Sequence, residues 1–122
     1  MIRDKPLELG YKRLVAWQLT DRLAWEVYSA TDSFPKVELF GLTSQLNRAI
    51  LSVVLNIVEG YARNSKNEFR RFLLISLGSL AESGYLLDFA FKRSYLSKDK
   101  YQKLIELKDE CGRVLWKLMK SQ

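Results

Sequence analysis

Leu42, Leu46, Ala49, Ile50, Val53, Ile57 and Tyr61 recur at three- and four-residue spacing, the period of one face of an α-helix. The same period returns in Tyr101, Leu104, Cys111, Leu115, Leu118 and Met119, and an apolar set of Trp17, Leu23, Ala24, Val27, Tyr28 and Phe34 precedes both. No segment alternates in the manner of a strand. The chain has two prolines, and Pro35 closes the first periodic segment because the residue before a proline avoids the helical region. Asn64-Ser65 and Tyr95-Leu96-Ser97 mark the other breaks. Ser65-Lys66-Asn67-Glu68 has the capping-box pattern, and Ser97 suits a helix N-cap. Four helices are expected, over about 11–33, 41–63, 66–93 and 98–120, each about 30 Å long. Short connections make sequential helices antiparallel. The expected fold is an all-α, antiparallel up-down-up-down four-helix bundle, with the 122 residues forming a single domain.

Composition narrows the chemistry. Histidine is absent, which excludes Ser-His-Asp triads, His zinc sites and the carboxylate–His di-iron motifs of helix bundles. A single cysteine, Cys111, forms neither an intrachain disulfide nor a multi-cysteine metal site. No enzyme activity, metal or cofactor is expected. Met1 to Pro6 alternates charges with no long apolar run behind it, unlike a signal peptide, so the expected compartment is the cytoplasm. The most apolar stretch, Phe72 to Phe91, contains Glu82 and Asp88 and reads as a buried helix, not a membrane span.

Two helices carry more apolar surface than a lone bundle needs. In the second, Leu51, Leu55, Val58 and Ala62 form another stripe, roughly opposite Leu42 and Leu46. In the third, Leu73, Leu74, Ile75, Leu77, Leu86, Phe89 and Phe91 point in nearly every direction. A helix apolar all round is covered on all sides, so a partner chain is expected. Copies are expected to associate through helices two and three, with Leu51, Leu55, Val58, Ala62, Leu74 and Phe89 at the interface.

Beside the core stripe of the second helix runs a polar row of Gln45, Arg48, Ser52, Asn56, Glu59 and Arg63. Glu59 and Arg63 are spaced to pair at i,i+4, whereas Arg48 and Glu59 stand about three turns apart and would meet only across chains. The row suits either a solvated face or a polar network at a subunit contact that fixes register. One carboxylate without a second acid, a metal site or a nucleophile does not define a reaction.

The 20 basic and 14 acidic residues leave a net charge of +6 and an isoelectric point near 9.5. Arg63, Lys66, Arg70 and Arg71 surround the turn between helices two and three, and Arg113, Lys117 and Lys120 lie off the apolar face of helix four. Such stripes suit phosphate backbones. No helix-turn-helix, zinc-finger or RNA-recognition signature is present, so binding would be led by shape and charge, and no base- or ribose-reading motif in the sequence singles out RNA or DNA as the ligand.

The run Gly41-Leu42-Thr43-Ser44-Gln45-Leu46-Asn47-Arg48-Ala49, with Ser52 and Asn56-Ile57-Val58-Glu59-Gly60-Tyr61-Ala62-Arg63, resembles the four-helix-bundle proteins encoded in intervening sequences of bacterial 23S ribosomal RNA genes. Val15-Ala16-Trp17-Gln18, Phe34-Pro35, Glu68-Phe69 and Gly78-Ser79-Leu80-Ala81-Glu82 extend the likeness from about Tyr11 to Leu118. The chain departs from the pattern at Val54, where the family often has a proline, and at Leu55, where a small residue is common. The resemblance implies a homopentamer. It also implies kinship with accessory proteins of diversity-generating retroelements, which are basic bundles that bind nucleic acid and a reverse transcriptase. The expected partners are therefore other copies of the chain, RNA or DNA, or a protein such as a reverse transcriptase, and no membrane.

Overall fold

The computed structural model describes residues 10–122; Met1 to Pro6, read above as unlike a signal peptide, lies outside the described residues. Four α-helices are present: α1 (Val15–Thr31), α2 (Leu42–Ala62), α3 (Lys66–Lys92) and α4 (Lys98–Lys120). Two 3-10 turns, Tyr11–Arg13 and Lys36–Glu38, precede α1 and α2. No strand occurs among the described residues. Helix α1 packs against α2 and α4, and α3 packs against the same two.

Three helices begin where their sequence signals lie, and one does not. Ser97 Oγ accepts the Lys100 amide at 3.2 Å and starts α4. Ser65 Oγ accepts the Glu68 amide at 3.3 Å and starts α3, but only this half of the expected capping box forms. The Glu68 carboxylate turns instead to Arg71 at 3.2 Å. The first helix begins at Val15, four residues later than expected at 11. Leu14 is extended (φ −72°, ψ 128°) and has no side chain to cap the free amides, so Tyr11–Arg13 closes as a separate 3-10 turn. At its other end the helix stops at Thr31, where Ser33 and Phe34 tighten into bonds to Ala30 and Thr31 before Pro35. Asn64 (φ 54°) and Ser94 (φ 65°) take the left-handed conformation that ends α2 and α3.

The periodic residues form the core. Leu23, Leu46, Ile50, Val53, Ile57, Leu73, Leu87, Cys111, Leu115 and Met119 are fully buried in one contiguous cluster. Tyr28 departs from its expected place on the first helix's inner face and is exposed. Among the described residues every buried side-chain polar atom has a partner: Thr20 Oγ1 donates to the Ala16 carbonyl at 2.8 Å and Ser76 Oγ to the Val53 carbonyl at 2.7 Å. Helix α3 is long and apolar enough to cross a membrane by length and composition, yet ten of its residues are buried within this bundle. Burial pushes the Cys111 thiol up to about 12, so it stays protonated and inert at neutral pH.

Gly60 and Gly78 show how differently two helical glycines sit. A Cβ on Gly60 would lie 2.7 Å from the Cβ of Phe72 and 3.0 Å from a ring carbon of Phe69, so the glycine permits the close approach of α2 and α3. A Cβ on Gly78 would meet nothing within 4 Å.

Candidate interaction surfaces

The polar row of α2 opens into a groove of about 500 Å³ shared with α3, lined by Arg48, Leu51, Ser52, Leu55, Asn56, Glu59 and Phe72. Asn56 Nδ2 donates to the Ser52 carbonyl at 2.7 Å and to Ser52 Oγ at 3.0 Å, and Ser52 Oγ meets Ser79 Oγ of α3 at 2.8 Å. Ser52 and Asn56 are half-buried, Ser52 tied to α3 and Asn56 to Ser52, while Gln45 stands exposed outside the groove. Glu59 pairs with Arg63 at 2.8 Å, as the i,i+4 spacing predicts. Arg48 has no ion pair among the described residues.

Of the expected interface residues, Leu55 is 59% exposed and Leu51, Leu74 and Phe89 are also exposed. Val58 is half-buried and Ala62 exposed. Leu51 and Leu55 share the groove, whereas Leu74 and Phe89 stand about four turns apart on α3, Phe89 beside the exposed Tyr85. Sequence reasoning missed a larger apolar exposure on α1 and the turn after it: Trp25, Val37, Leu39 and Phe40. The signal was present in Val37-Glu38-Leu39-Phe40, an apolar run in a connection that has no core face to fill.

That turn is held tightly. Glu38 Oε1 accepts the Leu42 amide at 3.1 Å and so caps α2, and Glu38 Oε2 accepts the Tyr95 hydroxyl at 2.9 Å. The Leu42 amide, then the Tyr95 hydroxyl, hold the Glu38 carboxyl below its ordinary range. A carboxyl lowered in the folded state stabilises fully above its unfolded value and loses that contribution as pH falls through its folded value. Glu38→Gln should therefore be less stable than the parent at pH 7, with the difference closing in acid. Urea titrations at pH 7 and pH 3 check this; a difference of equal size at both would show that the carboxylate is not the stabilising group.

The basic residues gather at one end of the bundle. Arg13 Nη2 donates to Tyr61 Oη at 3.1 Å, and Tyr61 packs edge-on against Phe69. Leu14, Val15 and Ala16 line a groove with Val114, Lys117, Leu118 and Ser121. These contacts bring the start of α1, the end of α2, the start of α3 and the end of α4 together. Residues 10–18, 59–72 and 113–122 hold nine basic residues and two acidic ones, a balance of +7. The remaining described residues hold nine basic and ten acidic, a balance of −1. All seven expected phosphate contacts fall in the first set.

They are not equivalent. Arg63 pairs with Glu59, approaches Glu68 at 4.0 Å, and sits over the Phe72 ring at 5.0 Å. Arg71 pairs with Glu68 at 3.2 Å and sits over the same ring at 4.6 Å. The Arg71 hydrogen bond leads in lowering the Glu68 carboxyl. Lys66, Arg70, Arg113 and Lys117 are exposed with no ion pair among the described residues. Lys120 lies 5.5 Å from the centre of the exposed Trp116 ring. Of the neighbours Arg70 and Arg71, then, Arg70 is the one with an uncommitted charge.

The sequence model of the 23S rRNA-intervening sequence proteins matches residues 12–117. The chain belongs to this family. A solved relative in fold is a protein of unknown function from the S23 ribosomal protein family of Bacteroides thetaiotaomicron, 20% identical, with a TM-score of 0.79 over 87% of this chain and 96% of that one. No curated protein matches the chain. Helix α2 runs unbroken from Leu42 to Ala62, with Val54 buried and Leu55 turned outward.

Proposed function

We propose that this member of the 23S rRNA-intervening sequence protein family is a non-catalytic, self-associating bundle that holds nucleic acid by its phosphates at the basic end. The observation that carries this reading is the charge segregation, +7 on one end against −1 elsewhere. The helices run antiparallel, up-down-up-down, within one domain. Support comes from the Arg13–Tyr61 contact at one end and from Thr31–Asn47 (3.1 Å) and Glu38–Tyr95 at the other. Self-association through α2 and α3 is supported by the outward Leu51 and Leu55. A copy number of five, the number the family resemblance implies, would repeat the basic end fivefold. A non-catalytic role is supported by Glu59 being committed to Arg63 and by the buried, protonated Cys111.

The test is equilibrium binding of the purified oligomer to RNA, single-stranded DNA and duplex DNA at low salt, where phosphate contacts are strongest. Binding with little sequence preference supports the reading; no binding to any of the three defeats it. A second reading, a scaffold for an acidic protein such as a reverse transcriptase, is favoured by Arg63 and Arg71, whose guanidinium groups already accommodate carboxylates.

A further inference from the structure

The apolar turn before α2 and the groove beside it have matching chemistry. Phe40 is 93% exposed and Val37 85% exposed, with Leu39 also outward. Their backbone is fixed: Glu38, Leu39 and Gly41 donate to Pro35, Lys36 and Glu38 carbonyls at 2.9–3.0 Å, and the Glu38 side chain clamps the turn to α2 and Tyr95. Apolar side chains held outward on a rigid turn lose little freedom on docking. Between α1 and α2 lies a groove of about 330 Å³, lined by Asp21, Ala24, Trp25, Tyr28 and Leu51. No residue of the Lys36–Phe40 turn lines it, and Trp25 on its rim is 73% exposed.

We infer that the Lys36–Phe40 turn of one copy seats in the α1–α2 groove of another. The occupant is a second copy because the knob and the groove are both on this chain and each carries one uncommitted charge of opposite sign, the Glu38 carboxylate of the turn being held by the Leu42 amide and the Tyr95 hydroxyl. Lys36 opens the turn and Asp21 lines the groove, and neither has an ion pair among the described residues. Seating the turn covers Phe40 and Trp25, aromatic side chains of the kind that dominate binding at interfaces. The inference rests on the self-association proposed above and adds which two surfaces meet, extending the contact from α2 to α1 through Leu51.

The experiment is complementation, read by sedimentation velocity. Phe40→Ser removes the knob and leaves the groove; Trp25→Glu blocks the groove and leaves the knob. Both positions are exposed, and circular dichroism verifies the fold. Each variant alone should associate about 30-fold or more weakly than the parent, the loss expected of a central aromatic anchor. Mixed together, the two should form a complex, since one supplies the knob and the other the groove. Lys36→Glu should weaken association, and adding Asp21→Lys to the same chain should restore it. An oligomer unchanged by both single variants, or a mixture that stays as monomers without charge-swap rescue, overturns the inference while leaving self-association intact. A parent chain that is itself monomeric overturns self-association as well.

Discussion

Gly60→Val should destabilise the bundle by about 3 kcal/mol, while Gly78→Ala should stabilise it by up to about 1 kcal/mol. Both glycines lie inside helices, so both lose the same backbone entropy relative to a residue with a side chain. They differ in what a side chain would meet. At Gly60 the new atoms press on the Cβ of Phe72, which is fixed to the backbone of α3 and moves only if the helices separate. Separation would strip packing from Phe69, Phe72 and Ile57, all buried. At Gly78 there is open space. Urea denaturation of the two variants gives the signs directly. Equal shifts in the same direction would mean that α2 and α3 are not held as closely as described.

The triple variant Arg70→Gln, Lys117→Gln, Lys120→Gln should bind nucleic acid about 1,000-fold more weakly than the parent at 50 mM salt. Each phosphate contact on a duplex contributes about 0.9 to the salt slope, which is worth roughly tenfold in affinity at that ionic strength. The loss should be uniform across sequences, because none of the three reads a base edge. Assembly should be unaffected, since all three side chains are exposed and lie away from the Lys36–Phe40 turn. Arg71→Gln alone should have a smaller effect, because its charge is already committed to Glu68 and Phe72.

The helices were legible because their signals are local. Spacing of three and four residues places Leu46, Ile50, Val53 and Ile57 inside, and Ser97 marks a start that depends on a bond only three residues long. What the sequence hid depends on distance along the chain. Glu38 caps Leu42 locally, but the Tyr95 hydroxyl that holds its other oxygen comes from 57 residues away. The capping box is a local exception, half-formed because Arg71, three residues on, takes the Glu68 carboxylate. The basic residues read as two clusters on separate segments; only packing shows that they share one end with the start of α1. Trp25 falls outside the Leu23, Ala24 and Val27 set, so a periodicity reading passes over it, though it is the exposed rim of the α1–α2 groove. The polar row of α2 was legible as a row, but which members leave solvent was set by Ser79 on α3.

The most direct measurement of the basic-end assignment is the slope of log affinity against log salt for three proteins on one duplex. These are the parent, the Arg70/Lys117/Lys120 triple variant, and a control with Lys92, Lys98 and Lys100 changed to Gln. The two variants lose the same formal charge, and the control residues lie at the α3–α4 connection, where acidic neighbours such as Asp88 and Asp99 offset them. The expected result is a slope about three units shallower, for each subunit that the duplex touches, in the basic-end variant and an unchanged slope for the control. Equal flattening in both variants would contradict a phosphate site confined to one end of the bundle.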